Sequence, residues 1–178
     1  MRRVTNVLTL QLDERSQAHF EDLRQRHFPP RRNQVPAHLT LFHTVPDTEE
    51  VERGLEAEAA GQAAFPLAVV GVRSLGNGVA YTLESGQLMA LHARLAGRLR
   101  EHLTAQDRQR LQPHIVVQNK VAVVAARELL TRLQQEFEPR EVRALGFDLW
   151  HYLGGPWELA RSFPFEGAEA PDEFRIQS

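Results

Sequence analysis

The chain repeats itself, and the repeat narrows the folds open to it. A histidine heads a short alternating run twice, as His38-Leu39-Thr40-Leu41 and as His114-Ile115-Val116-Val117. Each run follows a proline-containing approach, Pro36-Ala37 in one case and Pro113 in the other, and leads into a helical stretch. An apolar strand with an internal glycine comes next, Val70-Gly71-Val72 or Leu145-Gly146-Phe147, then a glycine turn and an aromatic residue, Tyr81 or Trp157. The offsets from histidine to glycine are 71 − 38 = 33 and 146 − 114 = 32 residues. Agreement in both order and spacing points to an internal duplication. Helices alternating with hairpins imply antiparallel sheet with helices on one side. The expectation is a bilobal, duplicated α+β fold. Each unit supplies one antiparallel sheet, the two sheets face a central groove, and helices cover the outer faces.

Local signals set the elements. Residues 4–12 read as an opening strand, and Asp13 is placed to cap a helix that runs to about His27 and ends at Pro29-Pro30. A second helix is expected over 49–62. Strands at 65–72 and 79–83 flank Gly76-Asn77-Gly78, a hairpin signal. Helices over 86–103 and 123–137 bracket the second histidine run, and strands at 142–152 and 157–163 follow around Gly154-Gly155. One domain over 1–166 is expected, with a loosely held tail at 167–178.

Of the 178 residues, 42% are hydrophobic, enough for a core and too many for wholesale disorder. A formal net charge of −2 argues against a binder of long nucleic-acid duplexes, which needs a basic stripe touching many phosphates. A small phosphate ligand or an RNA end needs only a local cationic pocket. The absence of cysteine excludes disulfides, thiolate metal sites and cysteine nucleophiles. Neither half carries a His-x-x-x-His pair with a suitably placed acid, so no metal and no cofactor is expected. Residues 1–12 lack the apolar core of a signal peptide, and no run approaches membrane-spanning length. A cytoplasmic protein away from membranes, monomeric or weakly dimeric, is the expectation.

Strand side chains alternate, so His38, Thr40, Phe42 and Thr44 are expected on one face, with Leu39, Leu41 and His43 on the other. In the second run His114, Val116, Gln118 and Lys120 share a face, with Ile115, Val117 and Asn119 behind. The aliphatic faces suit packing under helices, which leaves the histidine faces to line the groove. An imidazole titrates near neutrality, so one ring can accept a proton while its partner donates one. Displacement at phosphorus uses that pairing, with a base beside the attacking oxygen and an acid beside the leaving oxygen. The Thr40 hydroxyl can donate to a phosphate oxygen, although threonine is also simply common in strands. Gln118, Lys120 (the only lysine) and Arg32 in the loop before the first run are candidate substrate contacts. The plainer reading of the two cations is a solvated strand edge and a charged loop. His43 is read as a buried or hydrogen-bonded residue on the back of its strand, His92 as a helix residue, and Trp150 and Trp157 as packing.

These two tetrapeptides, with their flanks Pro36-Ala37-His38-Leu39-Thr40-Leu41-Phe42-His43 and Pro113-His114 to Gln118-Asn119-Lys120-Val121, resemble those of the 2H phosphoesterases. That superfamily includes the 2′-5′ RNA ligase-like proteins and RNA cyclic phosphodiesterases, and its signature is two copies of His-x-Thr/Ser-x in a duplicated α+β fold. The resemblance spans nearly the whole chain. It implies a metal-independent phosphoesterase acting on the 2′,3′-cyclic phosphate of RNA ends or small nucleotides. His38 and His114 match the catalytic pair, and Thr40 matches the phosphate-holding hydroxyl. Val116 stands where the second hydroxyl belongs and cannot donate a hydrogen bond. Such a donor is worth about 10²–10³-fold in rate. Val116 therefore raises the alternative of a module that binds a nucleotide or RNA end with little or no turnover.

Overall fold

Capping and burial set the elements close to their expected places in the computed structural model, which describes residues 5–169. In order these are β1 (Thr5–Leu12), α1 (Glu14–His27), a 3-10 turn (Pro30–Arg32), β2 (Leu39–Pro46), α2 (Glu49–Gly61), β3 (Phe65–Ser74) and β4 (Val79–Glu84). They continue with α3 (Gly86–Arg98), β5 (His114–Gln118), α4 (Val123–Glu136), β6 (Arg140–Tyr152) and β7 (Trp157–Pro164). Asp13, Thr48 and Ser85 each accept a backbone N–H from the first turn of the helix they cap. The third helix stops short of the expected 103. Its chain turns beyond Leu99, and the following segment is spent on closing the edge of β2, as described below.

All seven strands form one antiparallel sheet in the order β2-β1-β6-β3-β4-β5, with β7 paired to β6. The long strand β6 joins its halves: residues 140–144 pair with β3, and the rest pairs with β1 and β7. One half is β2-β1-β6-β7 and the other is β5-β4-β3-β6. This corrects the expectation that each repeat unit builds its own sheet. The hairpin of the first unit pairs with the histidine strand of the second, and the hairpin of the second unit joins the histidine strand of the first through β1.

The exchange follows from how the units meet. Leu67 lies four residues before Gly71 and Val142 four before Gly146, and these equivalent residues stand directly opposite each other. A pseudo-twofold axis therefore runs through this pair, and an antiparallel ladder is the pairing such an axis allows. Helices follow the same symmetry. The β2-β1-β6-β7 half is covered by α2 and α3, the β5-β4-β3 half by α1 and α4. Beneath them Leu39, Leu55, Phe65, Leu88, Ile115 and Phe147 are buried in one aliphatic and aromatic core.

The two repeat glycines answer different needs. A Cβ on Gly146 would meet the Phe163 carbonyl oxygen at 2.5 Å, so glycine is what lets β7 approach β6. Gly71 has no such neighbour and lies beside an irregularity in β3. At the end of the described chain Gly167 donates to the Gln62 carbonyl at 3.0 Å, and Glu169 pairs with Arg143. Residues 1–4 and 170–178, including most of the expected tail, lie outside the described residues. Among the described residues no helix is long and apolar enough to cross a membrane.

Candidate active site

The histidine strands are the two outer strands of the sheet path, and the fold brings these edges into contact. Both carry an extra residue at the same place, and β2 carries a second one between Phe42 and Val45. In β2, Thr40 pairs with Thr9 and Phe42 with Leu8, which leaves Leu41 over. In β5, Val116 pairs with Ala80 and Gln118 with Val79, which leaves Val117 over. Each of these two shared bulges falls three residues after its histidine. A bulge sends two successive side chains to one face and inverts the alternation beyond it. Phe42 therefore turns inward and stacks on His92 of α3 at 4.5 Å between ring centroids. Gln118 is likewise buried, at 7% exposure, and its Oε1 has no hydrogen-bond partner. The expected groove faces are thus corrected: alternation carries from His38 to Thr40 and from His114 to Val116, and no further. Lys120 lies beyond the end of β5, exposed, with a left-handed backbone at φ 62°.

Both histidines are held in the same way. His38 Nδ1 lies 2.8 Å from the Pro36 carbonyl oxygen, and His114 Nδ1 lies 2.7 Å from that of Gln112. A carbonyl can only accept, so each neutral ring keeps its proton on Nδ1 and its lone pair on Nε2. The approach to His38 is itself fixed from α1: Glu21 accepts the Ala37 N–H, and the Gln17 amide donates to the Ala37 carbonyl. Burial above all pushes His38 down to about 4; the Pro36 carbonyl opposes this, and the charges of Arg24, His114 and His43 add to it. Burial also lowers His114, with the Gln112 carbonyl opposing and Arg73 and His43 adding. The charges of His114 and His43 are felt at His38, and that of His43 at His114.

The cation beside His38 is Arg24, which sequence reasoning missed, rather than Arg32. Arg32 sits exposed in the 3-10 turn. Arg24 is 2% exposed on α1, with its guanidinium 4.2 Å above the Phe28 ring. Its Nε donates to Asn33 Oδ1 at 3.1 Å and its Nη1 to the Val116 carbonyl at 3.0 Å. One side chain thus ties the approach to His38 to the strand of His114. The sequence did hold a signal for it: an arginine four residues after Phe20, on the apolar stripe of a helix. On the other side Arg73 donates to Gln112 Oε1 at 3.0 Å, next to the carbonyl that holds His114.

His43 is also re-placed by the bulge. It does not lie on the back of β2; its side chain is 49% exposed, with Nδ1 3.1 Å from Oδ1 of the buried Asp107. The same carboxylate accepts the backbone N–H groups of His43 and Thr44, both at 2.9 Å. His92 Nε2 donates to the carbonyl of the bulged Leu41 at 3.1 Å. Together these groups satisfy the backbone that the bulge frees. Trp157 stands against the His38 ring at 4.5 Å and walls that side. Thr40 and Val116 are both half-buried.

A cavity of about 590 Å³ opens beside His38, between α1 and the β1-β6 surface, lined by Thr9, Gln17, Pro36, Asp148 and Trp150 among others but not by Thr40 or His114. Burial raises the pKa of Asp148, opposed by a hydrogen bond from Ser162. A second cavity of about 580 Å³, lined by His19, Tyr81 and Arg140, includes neither His38 nor His114. Among the described residues no group of three His, Asp or Glu side chains is placed to hold a metal ion.

The arrangement has relatives. The model of the 2′-5′ RNA ligase superfamily matches residues 12–156. Among solved structures the chain is similar to TT0787 of Thermus thermophilus, at 16% identity over 93% of this chain and 100% of that one, with a TM-score of 0.63. It is also similar to E. coli LigT complexed with 3′-AMP, at 19% identity, 92% and 99% coverage and a TM-score of 0.59. A third similar structure is described as a phosphoesterase, at 18% identity, 92% and 99% coverage and a TM-score of 0.57. No curated protein matches the chain. These structures share its fold, and the family match spans most of its length and both histidine strands: the chain belongs to the 2′-5′ RNA ligase superfamily of 2H phosphoesterases.

Proposed function

We propose that the protein is a metal-independent phosphoesterase that opens 2′,3′-cyclic phosphates on RNA ends or small nucleotides, with His38 and His114 as general base and general acid. The observation that carries this reading is the matched pair of Nδ1–carbonyl bonds, which leaves two Nε2 atoms free on neighbouring strand edges. A water oxygen attacks phosphorus while Nε2 of His38 takes its proton. The bond from phosphorus to one ribose oxygen breaks, and Nε2–H of His114 protonates that oxygen, leaving a phosphomonoester. His38 is held strongly toward its neutral form, which suits the base. His114 enters protonated, helped by the negative phosphate beside it. The Thr40 hydroxyl donates to a non-bridging oxygen, and Arg24 and Arg73 supply positive potential.

The cavity beside His38 has the size of a small-molecule site. LigT has been solved with 3′-AMP, NADP+, phosphate and ATP, which supports a small nucleotide as ligand. Arg32 and Lys120, both exposed, are left as contacts for the flanking part of a longer RNA; the buried Gln118 has no part in this reading. With an RNA hydroxyl in place of water as the attacking group, the same acid and base join the cyclic phosphate to that hydroxyl and leave a phosphodiester.

The test is turnover of several 2′,3′-cyclic nucleotides and of a cyclic-phosphate-ended oligonucleotide in the presence of EDTA. The reading requires activity that His38→Ala and His114→Ala each abolish. Val116 favours one second reading, a nucleotide- or RNA-end-binding module. Saturable binding without turnover, and turnover gained on Val116→Thr, is the result that reading expects.

A further inference from the structure

His43 has no part in the paired-histidine chemistry, yet its surroundings are built. The two bonds from Asp107 to the backbone N–H groups of His43 and Thr44 would form with any residue at position 43, so closing the strand edge accounts for Asp107 and not for the imidazole. The ring adds a third bond to the same buried carboxylate through Nδ1, which fixes its orientation and leaves Nε2 free. It is half exposed, on the groove side that the Leu41 bulge gives it. Across the groove the second unit has lost a donor, because Val116 stands in the hydroxyl position.

We propose that His43 is a third groove imidazole that binds the substrate phosphate and takes over the contact that Val116 cannot make. In the complex the doubly protonated ring donates Nδ1–H to Asp107 and Nε2–H to a non-bridging phosphate oxygen, a charge-assisted bond. His43 lies on the exposed side of β2, the strand edge that carries His38 and that meets the strand of His114. The proposal rests on the groove being the phosphate site, as the proposed function has it. It adds a binding residue from outside the two tetrapeptides and assigns the lost hydroxyl a replacement.

Binding of adenosine 2′-monophosphate and of inorganic phosphate, measured by calorimetry, tests this without any need for turnover. The proteins compared are the unsubstituted chain, His43→Gln, Asp107→Asn, Val116→Thr, and Val116→Thr combined with His43→Gln. His43→Gln, at a half-exposed position, should keep its melting temperature and bind about 10-fold or more weakly. Asp107→Asn should weaken binding less. Val116→Thr should change the unsubstituted protein little and restore most of the affinity lost in His43→Gln. A merely structural His43 would leave the effect of Val116→Thr the same in both backgrounds, and that equality would overturn the proposal. Affinity of His43→Gln within about twofold of the unsubstituted protein would overturn it while leaving the proposed function standing. Failure of the unsubstituted protein to bind either ligand would overturn both.

Discussion

The lowered pKa of His38 has a stability consequence that needs no substrate to measure. An imidazole in the unfolded chain titrates near 6.5, whereas burial above all, with the neighbouring charges, holds His38 at about 4 in the fold. Between those values the unfolded chain binds a proton that the folded protein does not. Stability is therefore complete above about 6.5 and is lost as the pH falls to about 4. At 1.36 kcal/mol per pH unit, a drop from 6.5 to about 4 amounts to about 3 kcal/mol, a large share of the roughly 5–15 kcal/mol that holds a domain folded. His38→Gln removes the titration and keeps an amide able to donate toward Pro36. Its unfolding free energy should fall by about 3 kcal/mol less than that of the unsubstituted protein between about pH 7 and about pH 4. His114 and the other groups are common to both proteins and cancel in the difference. Urea unfolding across the range, followed by circular dichroism because Trp157 touches the His38 ring, reads the effect. Parallel pH curves for the two proteins, or a His38 ring titrating at its ordinary value by NMR, would refute the burial argument and with it the choice of His38 as base.

The acid and base assignments separate on a p-nitrophenyl phosphodiester, whose leaving group departs without a proton. His114→Ala should retain far more activity there, relative to the cyclic nucleotide, than His38→Ala; equal losses on both substrates would void the assignment. Arg24→Met leaves Asn33 Oδ1 and the Val116 carbonyl without their donor, so a cost of about 1–3 kcal/mol is expected in thermal melts. Turnover should fall further than stability explains, because the tie between the two histidine strands is cut. Unchanged melting and unchanged kcat would show that the tie is idle. Gly146→Ala should destabilise by about 2 kcal/mol or more, since its Cβ would lie 2.5 Å from a backbone oxygen. Gly71→Ala, at the equivalent place, should be tolerated. Similar losses at both sites would contradict the asymmetry between the two hairpins.

Local patterns in the chain were legible where the physics is local. The capping residue Asp13 marked the start of α1, and glycine turns marked both hairpins. Period-2 alternation placed Leu39 and Ile115 in the core and left His38, Thr40, His114 and Val116 on the other face. It failed beyond Leu41 and Val117. One extra residue in a strand inverts the side chains that follow it until another irregularity resets them, as one does in β2 before the buried Val45, and nothing in the composition of a run announces that its partner strand is a residue shorter. Phe42, His43 and Gln118 were misplaced together for that single reason.

Choice of partner was the other hidden quantity. A strand pattern says that a segment will pair, and not with which strand. Here the pseudo-twofold meeting of Leu67 with Val142 exchanged hairpins between the units. Residues far apart in the chain then came to define the site. Asp107 reaches His43 across 64 positions, and Arg24 reaches Val116 across 92. The duplication, the elements and the identity of the two histidines are written in the sequence by itself, because spacing, capping and alternation act over a few residues. Which side chains surround those histidines was decided only by the tertiary structure, because register and burial depend on contacts between segments that the chain order keeps apart.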